Sequence, residues 1–186
     1  MKNPIKIHTP VTSIICEELC TGDRVLLSGS IITGRDTAHK RLFKLIAEGR
    51  DLPVKLDGET IFYAAPTPPR PGRIIGSIGP TTSYRMDEYA PDLMRSGLRG
   101  MIGKGKRTAE VRAAIIKYKA VYFGAMGGIA ALMSACIKKA EVIAYEDLGP
   151  EAIMHLEIED FPLIVVNDTK GGDLYEDAVG SHGMTL

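Results

Sequence analysis

The fold is decided by one stretch of the chain, RVLLSGSIITGRDTAHKRLFKLIAEG, at residues 24–49. Its first part, residues 24–32, is a short run of apolar and β-branched side chains and predicts a β-strand. Gly34 then turns the chain, and residues 36–48 predict an α-helix that begins with an acidic residue and is closed by Gly49. A strand that leads through a glycine turn into a helix is a building unit of α/β proteins.

The same alternation of strand and helix continues along the chain. Further strands are predicted at residues 61–65, 98–102, 121–123, 141–144 and 163–167, with helices at 86–96, 108–118 and 129–137 and a helical turn near Pro150. Residues 66–80 are rich in proline and glycine and predict a loop, in which residues 73–77 could form a short strand. The pattern predicts an α/β fold with a mixed sheet, in a single domain over residues 1–186 with a core at about 5–178.

The composition is that of a compact globular protein and excludes several classes of function. Of the 186 residues, 45% are hydrophobic and 25% are charged, which suffices to bury a core and excludes a disordered chain. The 23 basic residues balance 23 acidic ones, so broad binding of nucleic acid or of an anionic membrane surface is not expected. Three cysteines form no disulfide framework, and the first residues lack the apolar run of a signal peptide, which predicts a cytoplasmic location.

One long uncharged segment is as long as a short membrane-spanning helix but does not have the composition of one. Residues 120–137 carry no charged side chain. Glycines at positions 124, 127 and 128 interrupt the segment, so a buried strand, a glycine turn and a helix facing the core explain it better than a span. No association with a membrane is therefore expected.

Charge is uneven along the chain although it balances overall. Residues 85–119 contain nine basic and four acidic side chains, whereas residues 141–177 contain eleven acidic side chains and one basic one, Lys170. Two explanations remain open. The segments form two differently solvated faces, or the basic segment lines a site for an anion.

Three turns of the chain each carry a permanent cation beside glycine or hydroxyl groups. These cations are Arg35 after Gly34, Arg85 after Thr81, Thr82 and Ser83, and Lys104 between Gly103 and Gly105. Backbone N–H groups and hydroxyls at such turns bind carboxylate or phosphate, and the arginine fork binds a carboxylate through two parallel hydrogen bonds. Two arginines and a lysine therefore suit a small dicarboxylate.

Asp36 and His39 lie in the first turns of the predicted helix, close to Arg35. A carboxylate or an imidazole at this spacing can hold the arginine in place. The alternative is that Asp36 only caps the helix and His39 packs locally. In the same way, one of the three hydroxyls before Arg85 can be no more than a helix cap.

Other motifs are incomplete. Residues 100–106 match the phosphate-loop pattern G-x-x-x-x-G-K, but Arg107 stands where that loop needs a hydroxyl to bind magnesium. No dinucleotide-binding pattern and no metal-ligand cluster is recognised. Cys16, Cys20 and Cys136 are interpreted as structural cysteines and not as ligands of an iron–sulfur cluster.

Several longer motifs resemble those of one enzyme family. They are SGSIITGRDTAH, YAAPTPPRPG, IGSIGPTTSYRMD, the GKG turn, YFGAMGGIAALMSACIKKAEVIAYEDLGPEAI and DFPLIVVND. Together they resemble the beta subunit of iron-sulfur-dependent class I fumarate hydratase, over nearly the whole chain. The related beta subunit of L-tartrate dehydratase shares the GRD, GPTTS and GKG-type elements.

The resemblance implies a three-layer β/β/α swivelling domain that works with a separate fumarase alpha subunit. In such enzymes the alpha subunit holds a [4Fe-4S] cluster with three cysteines, and the beta domain closes over it. The reaction implied is the reversible hydration of fumarate to malate, in a cytoplasmic dimer of heterodimers. No metal is expected to be held by this chain.

The resemblance also implies roles for single residues. The substrate carboxylates would be bound by Arg35, Thr82, Arg85 and Lys104, proton removal would involve Thr81, and Arg35 would be oriented by Asp36 and His39. Tyr84 stands where family members often have glycine, which bears on the shape of the pocket. Two alternatives remain: a beta subunit acting on tartrate or another 2-hydroxy dicarboxylate, and an anion-binding module without a catalytic role.

Overall fold

The computed structural model describes residues 3–125 and 130–182, and within these ranges it contains seven strands and six α-helices. The strands are Ile5–His8 (β1), Arg24–Thr33 (β2), Thr60–Phe62 (β3), Gly100–Gly103 (β4), Val121–Gly124 (β5), Ile137–Ala144 (β6) and Ile153–Asn167 (β7). The α-helices are Ser13–Glu18 (α1), Asp36–Ala47 (α2), Ala90–Arg95 (α3), Ala109–Tyr118 (α4), Ala130–Ala135 (α5) and Leu174–His182 (α6). Two short 3-10 helices are present at Ser83–Met86 and Glu146–Glu151.

All seven strands belong to one mixed sheet, and five of them close into a barrel. β2, β3, β4 and β5 are parallel neighbours in that order. β7 runs antiparallel to both β5 and β2 and so joins the two ends of this parallel set. β1 extends the sheet beside β2, and β6 extends it beside β7. The predictions of an α/β fold and of a mixed sheet are confirmed.

Closure depends on two long strands that change neighbours along their length. β7 has 15 residues; its first part lies between β6 and β2, and its last residues pair with β5. β2 pairs with β1 in its first half and with β3 at its end. The register of β2 against β7 shifts between Leu27 and Gly29, and such a bulge bends a strand. β2 and β7 thus join the strands into one closed barrel, a feature that the sequence analysis did not predict.

Side chains alternate between the two faces of the barrel wall and form two cores. Ile102, Phe123 and Val165 belong to a cluster with residues of β1, β2 and α1, on the inner face. Met101 and Tyr122, each next to one of these in sequence, belong to a second cluster with α2, α3 and α4. The helices therefore cover the outer face of the parallel strands, and the turns that lead into them lie at one edge of the sheet.

Many of the predicted elements are present. The strand predicted at 24–32 and the helices at 36–48 and 108–118 agree with β2, α2 and α4. Thr108 is the N-cap of α4, since its hydroxyl accepts a hydrogen bond from Val111 N. Gly49, after α2, has a φ of 63°, the left-handed conformation that glycine adopts readily at a helix end.

Other boundaries were predicted wrongly. Residues 73–77 form no strand, and the helix predicted at 86–96 is split into a 3-10 helix and α3, which begins at Ala90 with Pro91 in its first turn. Ile137, placed at the end of a helix, is the first residue of β6. β7 begins at Ile153, ten residues before the predicted start at residue 163. β1, α1 and α6 were not predicted at all.

The uncharged segment at residues 120–137 contains β5 and α5. The predicted turn glycines Gly127 and Gly128 lie outside the described residues. Among the helices that the structure describes, none combines the length and the hydropathy that crossing a membrane requires.

Truncation of Phe161 tests the barrel core. Phe161 is fully buried on β7 and packs edge-on against Phe62, with ring centroids 5.6 Å apart. Phe161→Ala is expected to lower the free energy of unfolding by about 3–5 kcal/mol, because it leaves a cavity inside the barrel. Urea denaturation measures the change, with Ile14→Ala on the exposed face of α1 as the matched control. A loss below about 1 kcal/mol would contradict a closed, packed interior.

Candidate anion-binding site

Two of the predicted site residues, Arg35 and Lys104, lie just after the carboxyl ends of parallel strands. Arg35 comes two residues after β2, Tyr63 follows β3, and Lys104 follows β4. Because β2, β3 and β4 are parallel, their carboxyl ends meet at the same edge of the sheet. In α/β sheets this edge is where ligands bind.

Arg35 is the residue just before α2, and two carboxylates neutralise its guanidinium. Its Nη2 lies 3.8 Å from Asp36 Oδ2 and 3.5 Å from Glu151 Oε1. The side chain of Arg35 is 24% exposed, and its Nε is buried without a hydrogen-bond partner among the described residues. Arg35 thus has its charge balanced while N–H donors stay unused.

Asp36 links the two predicted arginines. Its Oδ1 lies 2.8 Å from Nε of Arg85, which belongs to the 3-10 helix Ser83–Met86, and its Oδ2 faces Arg35. Asp36 is also the acidic residue of the first turn of α2, where the helix dipole favours a negative charge. Arg35, Asp36 and Arg85 are therefore brought together.

His39 is fully buried and contacts the main chain of Arg35. Its Nδ1 lies 2.9 Å from Arg35 O, so Nδ1 carries the proton and donates it to this carbonyl. The ring packs edge-on against Tyr63, with centroids 5.2 Å apart. Burial lowers the pKa of His39 to about 4, and the imidazole is neutral at neutral pH. His39 thus supports the backbone at Arg35 without adding charge.

The hydroxyl segment and the lysine turn are joined by backbone pairing. Thr81 N donates to Tyr63 O at 2.6 Å, and Lys104 N donates to Thr81 O at 3.3 Å. Ser83 N donates to Lys104 O at 2.9 Å, which makes Thr82 a bridge partner of Lys104. Thr81, Thr82 and Lys104 are therefore neighbours.

The side chains of Thr82, Tyr84 and Lys104 are partly or largely exposed to solvent. Thr82 occupies the cap position of the 3-10 helix but makes no capping hydrogen bond with its side chain. The Lys104 side chain is exposed and forms no ion pair with the acidic residues that the structure describes. Tyr84 is 64% exposed. Of the predicted cations, Lys104 is thus the one whose charge no described carboxylate balances.

The buried ion pair between Arg107 and Asp87 was not predicted. Arg107 Nε lies 2.6 Å from Asp87 Oδ1, and Asp87 Oδ2 accepts from Thr108 N at 2.7 Å. The guanidinium carbon lies 4.8 Å from the ring centre of Tyr122 and 5.4 Å from that of Tyr63. Arg107 is the residue that breaks the phosphate-loop pattern, and its role is to tie the turn after β4 to the segment before α3.

Hydrogen bonds of Tyr122 fix the lysine turn from below. The Tyr122 hydroxyl donates to Gly105 O at 2.9 Å and accepts from Ser83 Oγ at 2.8 Å. Burial raises the pKa of Tyr122, which keeps this hydroxyl protonated as a donor. Gly103 allows the close approach, since a Cβ there would collide with Ser83 Oγ. These contacts hold the backbone around Lys104 in one position.

Glu151 is another residue that the sequence analysis missed. It ends the 3-10 helix Glu146–Glu151, and the backbone after it is fastened to the end of β2 by Thr33. Thr33 Oγ1 donates to Ala152 O at 3.3 Å and accepts from Met154 N at 3.0 Å. The only sequence signal was the acidic character of residues 141–177, which gave no partner for any single carboxylate.

The thiols of this chain do not fit an iron–sulfur cluster. Cys16 Sγ donates to Arg99 O, Cys20 Sγ lies near Lys170 Nζ, and Cys136 Sγ contacts Asp160 O, so each belongs to a different neighbourhood. Burial raises the pKa of Cys16 to about 12, which disfavours the thiolate that binds iron. Over residues 3–125 and 130–182, no group of three His, Cys, Asp or Glu side chains could hold a metal ion.

Fold and site together define an α/β domain with a cluster of cationic side chains at one sheet edge. The family model described as Fumarase C-terminus matches residues 1–178. The chain belongs to this family, and the family resemblance predicted from the motifs is confirmed.

Three relatives illustrate the range of the family. The chain is 39% identical over 180 residues to the anaerobic class I fumarate hydratase of Escherichia coli (strain K12), covering 94% of this chain and 33% of that protein. It is 40% identical over 156 residues to mitochondrial fumarate hydratase 1 of Leishmania major, covering 82% and 28%. It is 34% identical over 167 residues to a putative L(+)-tartrate dehydratase subunit beta of Methanocaldococcus jannaschii, covering 87% and 86%.

The chain therefore spans about a third of the fumarate hydratases it matches and most of the tartrate dehydratase subunit. Fumarate hydratases and tartrate dehydratases are hydro-lyases, enzymes that add or remove water. This chain is homologous to both.

Loss of the buried guanidinium of Arg107 is expected to destabilise the chain. Arg107→Met leaves Asp87 without its partner inside the protein and should lower the free energy of unfolding by about 3–5 kcal/mol. Chemical denaturation measures the effect. Arg50→Met, which removes an exposed arginine paired with Glu48, is the control and should leave the unfolding midpoint unchanged. Equal effects of the two variants would contradict a structural role of Arg107.

The burial of His39 predicts a pH-dependent stability. Its pKa is about 4 in the folded chain and 6.5 when unperturbed, so the unfolded chain binds the proton more tightly. The stability from neutral His39 is complete above about pH 6.5 and is lost as the pH falls towards 4, by on the order of 3 kcal/mol in total.

Denaturation at pH 7 and at pH 5 measures this loss. His39→Gln should lose clearly less stability than the wild type between these pH values, whereas His8→Gln, on the exposed strand β1, should behave like the wild type. The assignment fails if all three proteins show the same pH dependence.

Proposed function

We propose that this chain is the beta subunit of a two-subunit, iron-sulfur-dependent hydro-lyase that interconverts fumarate and malate. The observation that carries the proposal is the row of cations at one sheet edge. Arg35 and Arg85 flank Asp36 there, and Lys104 is backbone-paired to the segment that leads to Arg85. A dicarboxylate has two groups to which such cations bind.

The residues of this chain would bind the substrate and stabilise charge. Adding water to fumarate, or removing it from malate, passes through a carbanion-like intermediate whose negative charge spreads onto a carboxylate. Fixed cations in a site closed to water stabilise that charge more in the intermediate than in the substrate. We assign carboxylate binding to Arg35, Thr82, Arg85 and Lys104.

Thr81 is proposed to take part in proton removal. A threonine hydroxyl is a weak base unless nearby positive charge stabilises its deprotonated form. The backbone pairing of Thr81 with Lys104 supports this role, because it ties the hydroxyl residue to the turn that carries the exposed amine. Asp36 and His39 are proposed to orient Arg35, one through its side chain and one through its backbone.

The catalytic cluster is proposed to belong to a partner. The cysteines of this chain do not assemble a ligand set, and an alpha subunit with three cysteines would hold the [4Fe-4S] cluster. We propose that the beta domain swivels and closes its cationic edge, the sheet edge that carries Arg35, Arg85 and Lys104, over that subunit. The assembly is proposed to be a cytoplasmic dimer of heterodimers. The match over 86% of a relative named as a beta subunit supports the two-subunit arrangement.

The same match favours a second candidate substrate. The relative from Methanocaldococcus jannaschii is named for L(+)-tartrate, another 2-hydroxy dicarboxylate. Tyr84 lies between the hydroxyl segment and Arg85 and is exposed. We propose that its ring contributes to the choice between substrates that differ by one hydroxyl group. Malate and tartrate are therefore both tested as substrates.

The assembled enzyme provides the decisive measurement. The chain is combined with its alpha partner carrying a reconstituted cluster, and fumarate absorbance is followed with malate as substrate. We expect activity only in the mixture, because this chain supplies cations and not the metal. Full activity of the isolated chain would contradict the two-subunit proposal.

Arg85→Ala tests the site in the same assay. Loss of a direct carboxylate contact should lower kcat/KM at least about tenfold, equivalent to about 1.4 kcal/mol of barrier. Arg95→Ala removes an exposed arginine that is paired with Asp92 on α3, and it should leave the rate unchanged. A loss for Arg85→Ala below tenfold would contradict its contact with substrate.

A further inference from the structure

Two carboxylates balance the charge of Arg35 at distances longer than a hydrogen bond to a charged group. Both carboxylate contacts of Arg35 Nη2, at 3.5 Å and 3.8 Å, are longer than a charge-assisted hydrogen bond of about 2.7–2.9 Å. The guanidinium makes no hydrogen bond to any described residue, and its Nε is buried. By contrast, Arg107 lies 2.6 Å from Asp87. Arg35 therefore has donors ready for a ligand, and its present contacts are weak enough to exchange.

Of the two carboxylates on Arg35, Asp36 is held in place. It lies in the first turn of α2 and makes a 2.8 Å contact with Arg85. Releasing Asp36 from this cluster would break the contact between Asp36 and Arg85 as well as the contact with Arg35. Asp36 is thus a permanent part of the cluster.

Glu151 is held only through its backbone. Thr33 fixes the chain at Ala152 and Met154, and so brings residue 151 to the end of β2. The Glu151 side chain is 29% exposed, and its only ion pair within the described part of the chain is the 3.5 Å contact with Arg35. Its carboxylate can therefore turn away into solvent at the cost of one weak contact.

We propose that Glu151 is a built-in competitor of the substrate: its carboxylate neutralises Arg35 while the site is empty and is displaced by a carboxylate of the incoming dicarboxylate. The inference rests on the proposed function, in which Arg35 binds the substrate. It makes Glu151 a residue that sets affinity, because each binding event must first break the contact between Glu151 and Arg35.

Direct binding of succinate to the assembled enzyme tests the proposal. Succinate is a dicarboxylate without the hydroxyl group that dehydration removes, and calorimetry gives its Kd without turnover. Glu151→Gln removes the competing charge and should lower the Kd about threefold. Glu151→Asp keeps the charge but shortens the side chain by one methylene, so it should also lower the Kd. Glu146→Gln removes the same charge from the exposed start of the same 3-10 helix and should leave the Kd unchanged.

The possible outcomes separate the explanations. Tighter binding by both Glu151 variants supports displacement, since a damaged fold would weaken binding. An unchanged or higher Kd for Glu151→Gln overturns the proposal, and a higher value would show that Glu151 positions Arg35 for the ligand. An equal decrease for Glu146→Gln also overturns it, because the effect would then be one of general charge.

The proposed function is judged separately in the same preparations. If the wild type binds succinate but dehydrates neither malate nor tartrate, the proposed function fails while the Kd values still decide the role of Glu151. If neither wild type nor variants bind succinate, both proposals fail.

Discussion

The antiparallel pairing of β2 with β7 is the constraint on which the rest of the molecule depends. It extends from Arg24 to Ile32 on one strand and from His155 to Ile164 on the other. Without it the strands β2, β3, β4, β5 and β7 would form an open sheet, because no other pairing connects β7 back to β2. With it they form a barrel whose interior is filled by side chains of all five strands. The pairing also brings residues more than a hundred positions apart in sequence to the same place, as Thr33 and Met154 show.

The barrel carries the sheet edge with the predicted cations through two layers of side chains. The inner layer is neutral or charge-balanced and fixed: His39 under Arg35, and the Arg107–Asp87 pair between two tyrosine rings under the lysine turn. The outer layer consists of Arg35, Arg85 and Lys104, which are exposed to different degrees. This buried, charge-balanced support holds the backbone that carries the cations, and a binding site needs such support to keep its charged groups in position.

Local signals in the sequence predicted the parts of the fold and site that depend on neighbours in the chain. Glycine turns after apolar runs located Arg35 and Lys104, and helix periodicity with caps located α2 and α4. Prediction failed where a distant partner decides the outcome. β7 contains Glu157, Glu159 and Pro162, which weaken a strand signal, and it becomes a 15-residue strand because β2, β5 and β6 supply its hydrogen bonds. Glu151 lies 116 positions from Arg35 and Arg107 lies 20 from Asp87, so no local pattern linked either pair.

Closure of the barrel determines which parts of the edge can adapt to ligands of different length. Arg35 and Lys104 stand directly after barrel strands, and moving their backbones apart would require breaking hydrogen bonds around the whole ring. The segment from Thr81 to Arg85 is attached to the ring through a few backbone bonds and follows a long irregular stretch rich in proline and glycine. Under the proposed function, a change of substrate preference is therefore expected in this segment and its side chains, because the backbones that follow the barrel strands keep a constant spacing.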